Sequence, residues 1–143
     1  MEACIRPDLD GLRLYSPTDD KVWLMIHGRR KLIVNSAVYE SLFFETENLY
    51  ACNEISSIEE GSPLNEDTCL AKGVGRHEIY LITGSPQLSI RKYHITNFET
   101  FADYCFDASK VQQVPSIVID GIPEGKPISS ASASIIKNDH SQI

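Results

Sequence analysis

An α+β chain of two tandem repeats is expected, each a β-hairpin plus short helix and closing turn, packed with pseudo-two-fold symmetry. Three observations predict it. Glu60-Gly61-Ser62-Pro63-Leu64 returns as Glu124-Gly125-Lys126-Pro127-Ile128. The residues before each copy match in the same order: Val22-Trp23-Leu24-Met25 with Ile79-Tyr80-Leu81-Ile82, Arg30-Lys31 with Arg91-Lys92, and Ile33-Val34-Asn35 with Ile95-Thr96-Asn97. Tyr39 then answers Phe101, Phe44 answers Phe106, Leu49 answers Val111 and Ile58 answers Ile122. Finally, each copy passes from a period of two residues to a helical period at corresponding places. The repeats cover about residues 10–64 and 67–128 of a single domain, residues 1–128, followed by a Ser/Ala-rich tail at 129–143. A lobe of this size is marginal alone, so the halves are expected to pack on each other.

In the first copy Val22, Leu24 and Ile26 alternate with Trp23 and Met25, the pattern of a half-buried strand. His27-Gly28 makes the turn, and Lys31-Leu32-Ile33-Val34 returns as the second strand. Asn35-Ser36 offers a helix N-cap, and Val38/Leu42 and Tyr39/Phe43 then fall at the i, i+4 spacing of one helix face. In the second copy Thr96-Asn97 caps a helix through Cys105, with Phe98, Phe101 and Cys105 at helical spacing. Short β-compatible segments follow, Asn48–Cys52 and Lys110–Val114. The glycine of each closing motif is expected to supply a left-handed turn, and the proline after it to hold the exit extended. Gly73-Val74-Gly75 reads as a surface loop. The hairpin loop is longer in the second copy, within Thr83–Ser89, and is where binding specificity would diverge. After Ile128 the Ser/Ala run reads as a tail or linker, with Ile135-Ile136 as a candidate edge strand.

The net charge of −7 excludes a phosphate-backbone binder, which needs a concentrated basic face. No apolar run reaches the length of a membrane span. The N-terminus lacks the basic start and apolar stretch of a signal peptide, so a cytoplasmic location or export by another route is expected. None of the four cysteines forms a Cys-x-x-Cys pair. Cys52 and Cys105 align with Val114 and Phe43 and so read as buried thiols. A disulfide from Cys69 to Cys4 or Cys52 is left open.

Catalytic patterns are missing: there is no His-Glu-x-x-His, no Gly-x-Ser-x-Gly and no Walker loop. The four histidines are scattered without ligand spacing. The chain therefore reads as a non-enzyme without cofactor or metal. Binding chemistry has more support. If Val22, Leu24 and Ile26 face the core, Trp23 and its counterpart Tyr80 point the other way, as a stacking platform for a sugar ring requires. Arg30 and Arg91, with Lys31 and Lys92, lie on the neighbouring strand, and Asn35 and Asn97 supply amides at its end. The competing structural reading packs the aromatics inside and uses the asparagines as caps.

The second copy reads Lys72-Gly73-Val74-Gly75, Glu78-Ile79-Tyr80-Leu81-Ile82, Arg91-Lys92-Tyr93-His94-Ile95, Phe101 and Ile122-Pro123-Glu124-Gly125-Lys126-Pro127. This resembles a repeat of bacterial extracellular and cell-surface proteins, notably cyanobacterial and actinobacterial ones. The first copy departs from it with Trp23 for the tyrosine and Glu59 for the closing proline. Such repeats are often attached to cell-wall-acting domains, which implies a recognition or adhesive role and no catalytic residues. The expected function is non-catalytic, lectin-like recognition of a glycan or cell-surface polysaccharide through two similar sites acting by avidity. The alternative is a protein-interaction or inhibitor module using the same strands or the 83–89 loop.

Overall fold

The computed structural model describes residues 4–18, 20–43, 49–84 and 89–129. Most of the 83–89 loop, the 129–143 tail beyond its first residue, and the expected Phe44–Phe106 correspondence lie outside the described residues.

Two similar units each hold a four-stranded mixed sheet. In the first, β1 (Arg13–Tyr15), β2 (Val22–Ile26), β3 (Arg29–Ile33) and β4 (Tyr50–Ala51) run in the order β3-β2-β1-β4, with helix α1 (Ser36–Glu40) after β3. In the second, β5 (Cys69–Gly73), β6 (Ile79–Thr83), β7 (Arg91–Ile95) and β8 (Gln112–Val114) run β7-β6-β5-β8, with α2 (Phe98–Asp103) after β7 and α3 (Ser116–Asp120) after β8. In both, the first three strands pair antiparallel and the fourth joins the first in parallel. The α+β class with two similar units is thus observed, but each unit exceeds a hairpin. Strands β1 and β5 and helix α3 are additions to the expected plan. Three residues of β1 are too few for a period to register, and Gly73, expected in a loop, ends β5.

His27-Gly28 is the predicted two-residue turn. Both residues have positive φ, 53° and 80°, the twist that suits a hairpin between right-twisted strands. Asp10 Oδ1 accepts the Gly28 N–H at 2.7 Å. The closing-motif glycines differ from expectation, because neither has a positive φ. Gly125 N–H instead donates to Lys92 C=O at 2.9 Å, and a Cβ there would lie 2.4 Å from Tyr93 Cε1. It is glycine because an aromatic ring lies against its backbone, a requirement of tertiary packing rather than of turn geometry. Both closing motifs run as extra parallel bridges beside the third strand, Arg30 with Glu60 and Lys92 with Glu124.

One buried cluster joins the units. Leu24, Ile26 and Ile33 from the first sheet and Leu70, Leu81 and Ile95 from the second share it with Tyr39, Phe43, Phe101 and Phe106 from the helices and their exits. Phe43 and Phe106 stack with centroids 5.4 Å apart, and Asp107 N–H donates to Leu42 C=O. Arg13 is buried in this region, bonded to the Tyr39 hydroxyl and lying over the Phe43 ring. The register puts Leu70 at the matching place in the second unit, since both stand beside the central leucine of the next strand. The outer face of the first sheet carries a second cluster of Leu14, Trp23, Met25, Ile55 and Ile58. Alternation along β2 therefore divides two cores rather than core from solvent. None of the four cysteines is in a disulfide; Cys105 is buried and Cys52 partly so.

Candidate functional site

The ladder register corrects the pairing of the basic residues. Trp23 stands opposite Leu32 and Tyr80 opposite His94, while Met25 faces Arg30 and Ile82 faces Lys92. Arg30 therefore corresponds to Lys92 and Arg29 to Arg91, one residue from the sequence alignment. A slip of one residue exchanges faces. Arg30 and Lys92 lie on the aromatic face, and Arg29 and Arg91 lie on the face toward the other unit.

This register explains the fate of the two aromatics. Trp23 is 5% exposed, with the Arg30 guanidinium carbon 4.4 Å from the ring centre. Arg30 Nε donates to Ile58 C=O at 2.8 Å. Lys92 Nζ lies 5.0 Å from the Tyr80 centroid and donates to Ile119 C=O at 2.8 Å. Each unit thus lays a cation on its strand aromatic and ties that cation to a carbonyl of the following segment. Trp23 is not a platform for a ligand: a cation covers its ring and a core surrounds it. Tyr80 is half-buried, with His94 at a ring distance of 5.4 Å, and burial raises its phenol pKa.

The asparagines are helix caps. Asn35 Oδ1 accepts Val38 N–H at 2.9 Å and Asn97 Oδ1 accepts Thr100 N–H at 2.7 Å, which satisfies an otherwise unpaired donor of each first turn. Capping uses only the oxygen. Asn35 Nδ2 donates to Glu66 Oε2 at 2.8 Å, whereas Asn97 Nδ2 makes no hydrogen bond among the described residues.

Both asparagines stand at matching grooves, where the second strand begins, the third ends and the helix starts. The first groove, about 370 Å³, is lined among others by Lys21, Val22, Leu32, Ile33, Asn35 and Tyr39. The second, about 360 Å³, is lined by their counterparts Glu78, Ile79, His94, Ile95, Asn97 and Phe101, together with His77 and Phe98. The grooves share a place and differ in chemistry. Ser36 in the first is replaced by Phe98 in the second, 69% exposed and stacked on buried Phe101 at 5.7 Å. Phe98 was read as part of the helix's apolar face. A six-residue helix buries only Thr100 and Phe101, so an aromatic at its first position is left outside. Residue spacing alone carried no signal of that shortness.

No family model, curated protein or solved structure matches the chain.

The assignment therefore rests on the geometry. Among the described residues, no group of His, Cys, Asp and Glu is placed to hold a metal ion, and no helix is long and apolar enough to cross a membrane. Arg91 lies apart from Tyr80, in a cleft between the two units. Of the six residues expected to bind ligand, the structure brings Asn35 and Asn97 to grooves, Trp23 and Arg30 into a packed pair, Tyr80 under Lys92, and Arg91 to the cleft.

Proposed function

We infer that the chain is a non-catalytic recognition protein that binds carbohydrate, with the groove of the second unit as its main site. The observation that carries this is the exposed Phe98 ring beside an uncommitted Asn97 amide, with Glu78, His77 and His94 on the same groove. A flat apolar ring takes the C–H face of a pyranose, and the amide, carboxylate and imidazoles provide donors and acceptors for its hydroxyls. The first groove has the shape without the ring, and its amide is engaged by Glu66, so the two sites are unequal. The resemblance of the repeats to bacterial surface repeats supports the same reading.

The test is a glycan array with the purified chain, Phe98→Ala, and Asn97→Asp. The aspartate keeps the capping oxygen and loses the amide donor. Selective binding that falls in both variants, with circular dichroism unchanged, is expected. A blank array, or binding indifferent to Phe98→Ala, refutes the site. A protein partner is favoured by a separate observation. Ile117 and Val118 on α3 and neighbouring Val74 are 80%, 50% and 58% exposed, and Ser116 Oγ donates to Val74 C=O at 3.0 Å, which places them on one ridge.

A further inference from the structure

The inner faces of the third strands change character along their length. Ile33 and Ile95, at the helix end, are buried in the shared core. At the hairpin end the same face carries Arg29 and Lys31, opposite Ile26 and Leu24, and Arg91 and Tyr93, opposite Thr83 and Leu81. A sheet face directed at another sheet ordinarily stays apolar. Here it opens into a cleft of about 620 Å³ around Arg29, Lys31, His27 and Tyr93. A second space of about 880 Å³ shares Arg29, His27 and Tyr93 and reaches Arg91 and Lys126. His27, held at positive φ, has its Nε2 3.0 Å from Pro127 C=O and so ties the two units at the cleft.

The carboxylates lining this space, Asp8, Asp10 and Glu60, and the neighbouring Glu59 are mostly engaged. Asp8 takes a two-bond fork from Arg6. Glu59 lies 3.7 Å from Arg29 and Glu60 lies 3.8 Å from Arg30. Asp10 accepts the Gly28 N–H, and burial raises its pKa. Lys31 donates to Ser62 C=O at 3.2 Å. Lys31 and Arg91 have no carboxylate partner among the described residues, while Lys126 attracts the Asp10 carboxylate electrostatically. In a chain of net charge −7, Arg29, Arg91 and Lys126 lining one space, with Lys31 on the adjoining one, need an account. Burial, and then the neighbouring Arg29, lower the Lys31 pKa, a penalty that an anion in the cleft would relieve.

We propose that the cleft between the two units binds a phosphate or sulfate group, held by Arg29 of the first unit and Arg91 and Lys126 of the second, which line one space. Two guanidinium forks and an ammonium suit a dianion with several oxygens better than a carboxylate, which has one charge and two. The site is separate from the sugar groove and stands whether or not that groove binds.

The full chain is titrated calorimetrically with inorganic pyrophosphate and with sodium sulfate, against sodium chloride at matched ionic strength. One saturable site is expected, weakened about tenfold in Arg91→Gln and in Arg29→Gln, the loss of one charge-assisted bond, and unchanged in Phe98→Ala. Arg91 is exposed and its side chain has no partner among the described residues, so its replacement leaves folding intact. Absence of saturation, an equal response to chloride, or affinity unchanged in both arginine variants overturns the proposal. Dextran sulfate separates the sources: tighter binding per site than inorganic sulfate indicates an esterified ligand, and equal binding a free anion.

Discussion

Removing Arg30 should uncover the chain's one tryptophan, which makes the cation lid measurable at a single optical probe. In Arg30→Ala the Ile58 carbonyl loses a charged donor at 2.8 Å, worth about 1.5–3 kcal/mol. The guanidinium 4.4 Å from the Trp23 ring centre adds about 1–2 kcal/mol for a desolvated ring. Glu60, 52% exposed and 3.8 Å away, adds a few tenths at most once solvent screening is counted. These contacts share one side chain and do not add in full, so the expected loss is about 3 kcal/mol. With a urea slope of about 2 kcal/mol/M, the unfolding midpoint falls by about 1.5 M. The assay is urea unfolding followed by Trp23 emission, whose maximum should also move to the red in the native variant. Arg30→Met keeps the covering stem and loses the charge, and should fall between the two. Trp23 Nε1 is buried without a hydrogen-bond partner, so Trp23→Phe removes an unsatisfied donor and is expected to cost less than about 1 kcal/mol by circular dichroism. An Arg30→Ala chain with unchanged midpoint and emission would refute the lid.

Gly125→Ala places a Cβ 2.4 Å from Tyr93 Cε1, and overpacking of this kind costs about 1–3 kcal/mol; thermal unfolding measures it, and Tyr93→Ala in the same background should recover part of the loss. The pH dependence of folding has an identifiable contributor in Asp120, held below the usual carboxylate range by the fork from Arg76 at 2.6 and 3.0 Å. Its folded pKa is depressed, so its contribution is present above the unfolded value and is lost as pH falls through the folded one. Asp120→Asn should lower the Tm near neutral pH, with the gap from wild type closing on acidification. Asp10 works in the opposite sense, because burial raises its pKa; Asp10→Asn, which retains an acceptor for Gly28 N–H, should raise the Tm near neutral pH.

Much of the architecture was legible because it rests on local chemistry. Period-two alternation marked β2 and β6, an asparagine two residues after each third strand marked the starts of α1 and α2, and the repeated closing motif revealed two similar units. The strands that were missed, β1 and β5, have little local signal and are defined by their neighbours. The site was less legible. Gapped alignment placed Arg91 against Arg30, and that shift of one residue was enough to put Arg91 on the wrong face of its sheet, while Arg30 does lie beside its aromatic. Phe98 looked like a core position because helical spacing does not say how short the helix is.

What the sequence by itself determined is the pair of units, their helix caps, the outward turn of Trp23 and Tyr80 relative to the shared core, and the absence of a familiar catalytic pattern. These follow from dihedral preference and residue spacing within a few positions along the chain. Tertiary structure alone decided that the outward face of β2 is itself covered by the segments around Pro7–Leu9 and Ile55–Ser57, that Arg30 and Lys92 close over the aromatics, and that cations line the gap between the sheets. Alternation says on which side of a strand a residue lies. It does not say what lies on that side, because this depends on segments distant in sequence whose approach is set by packing.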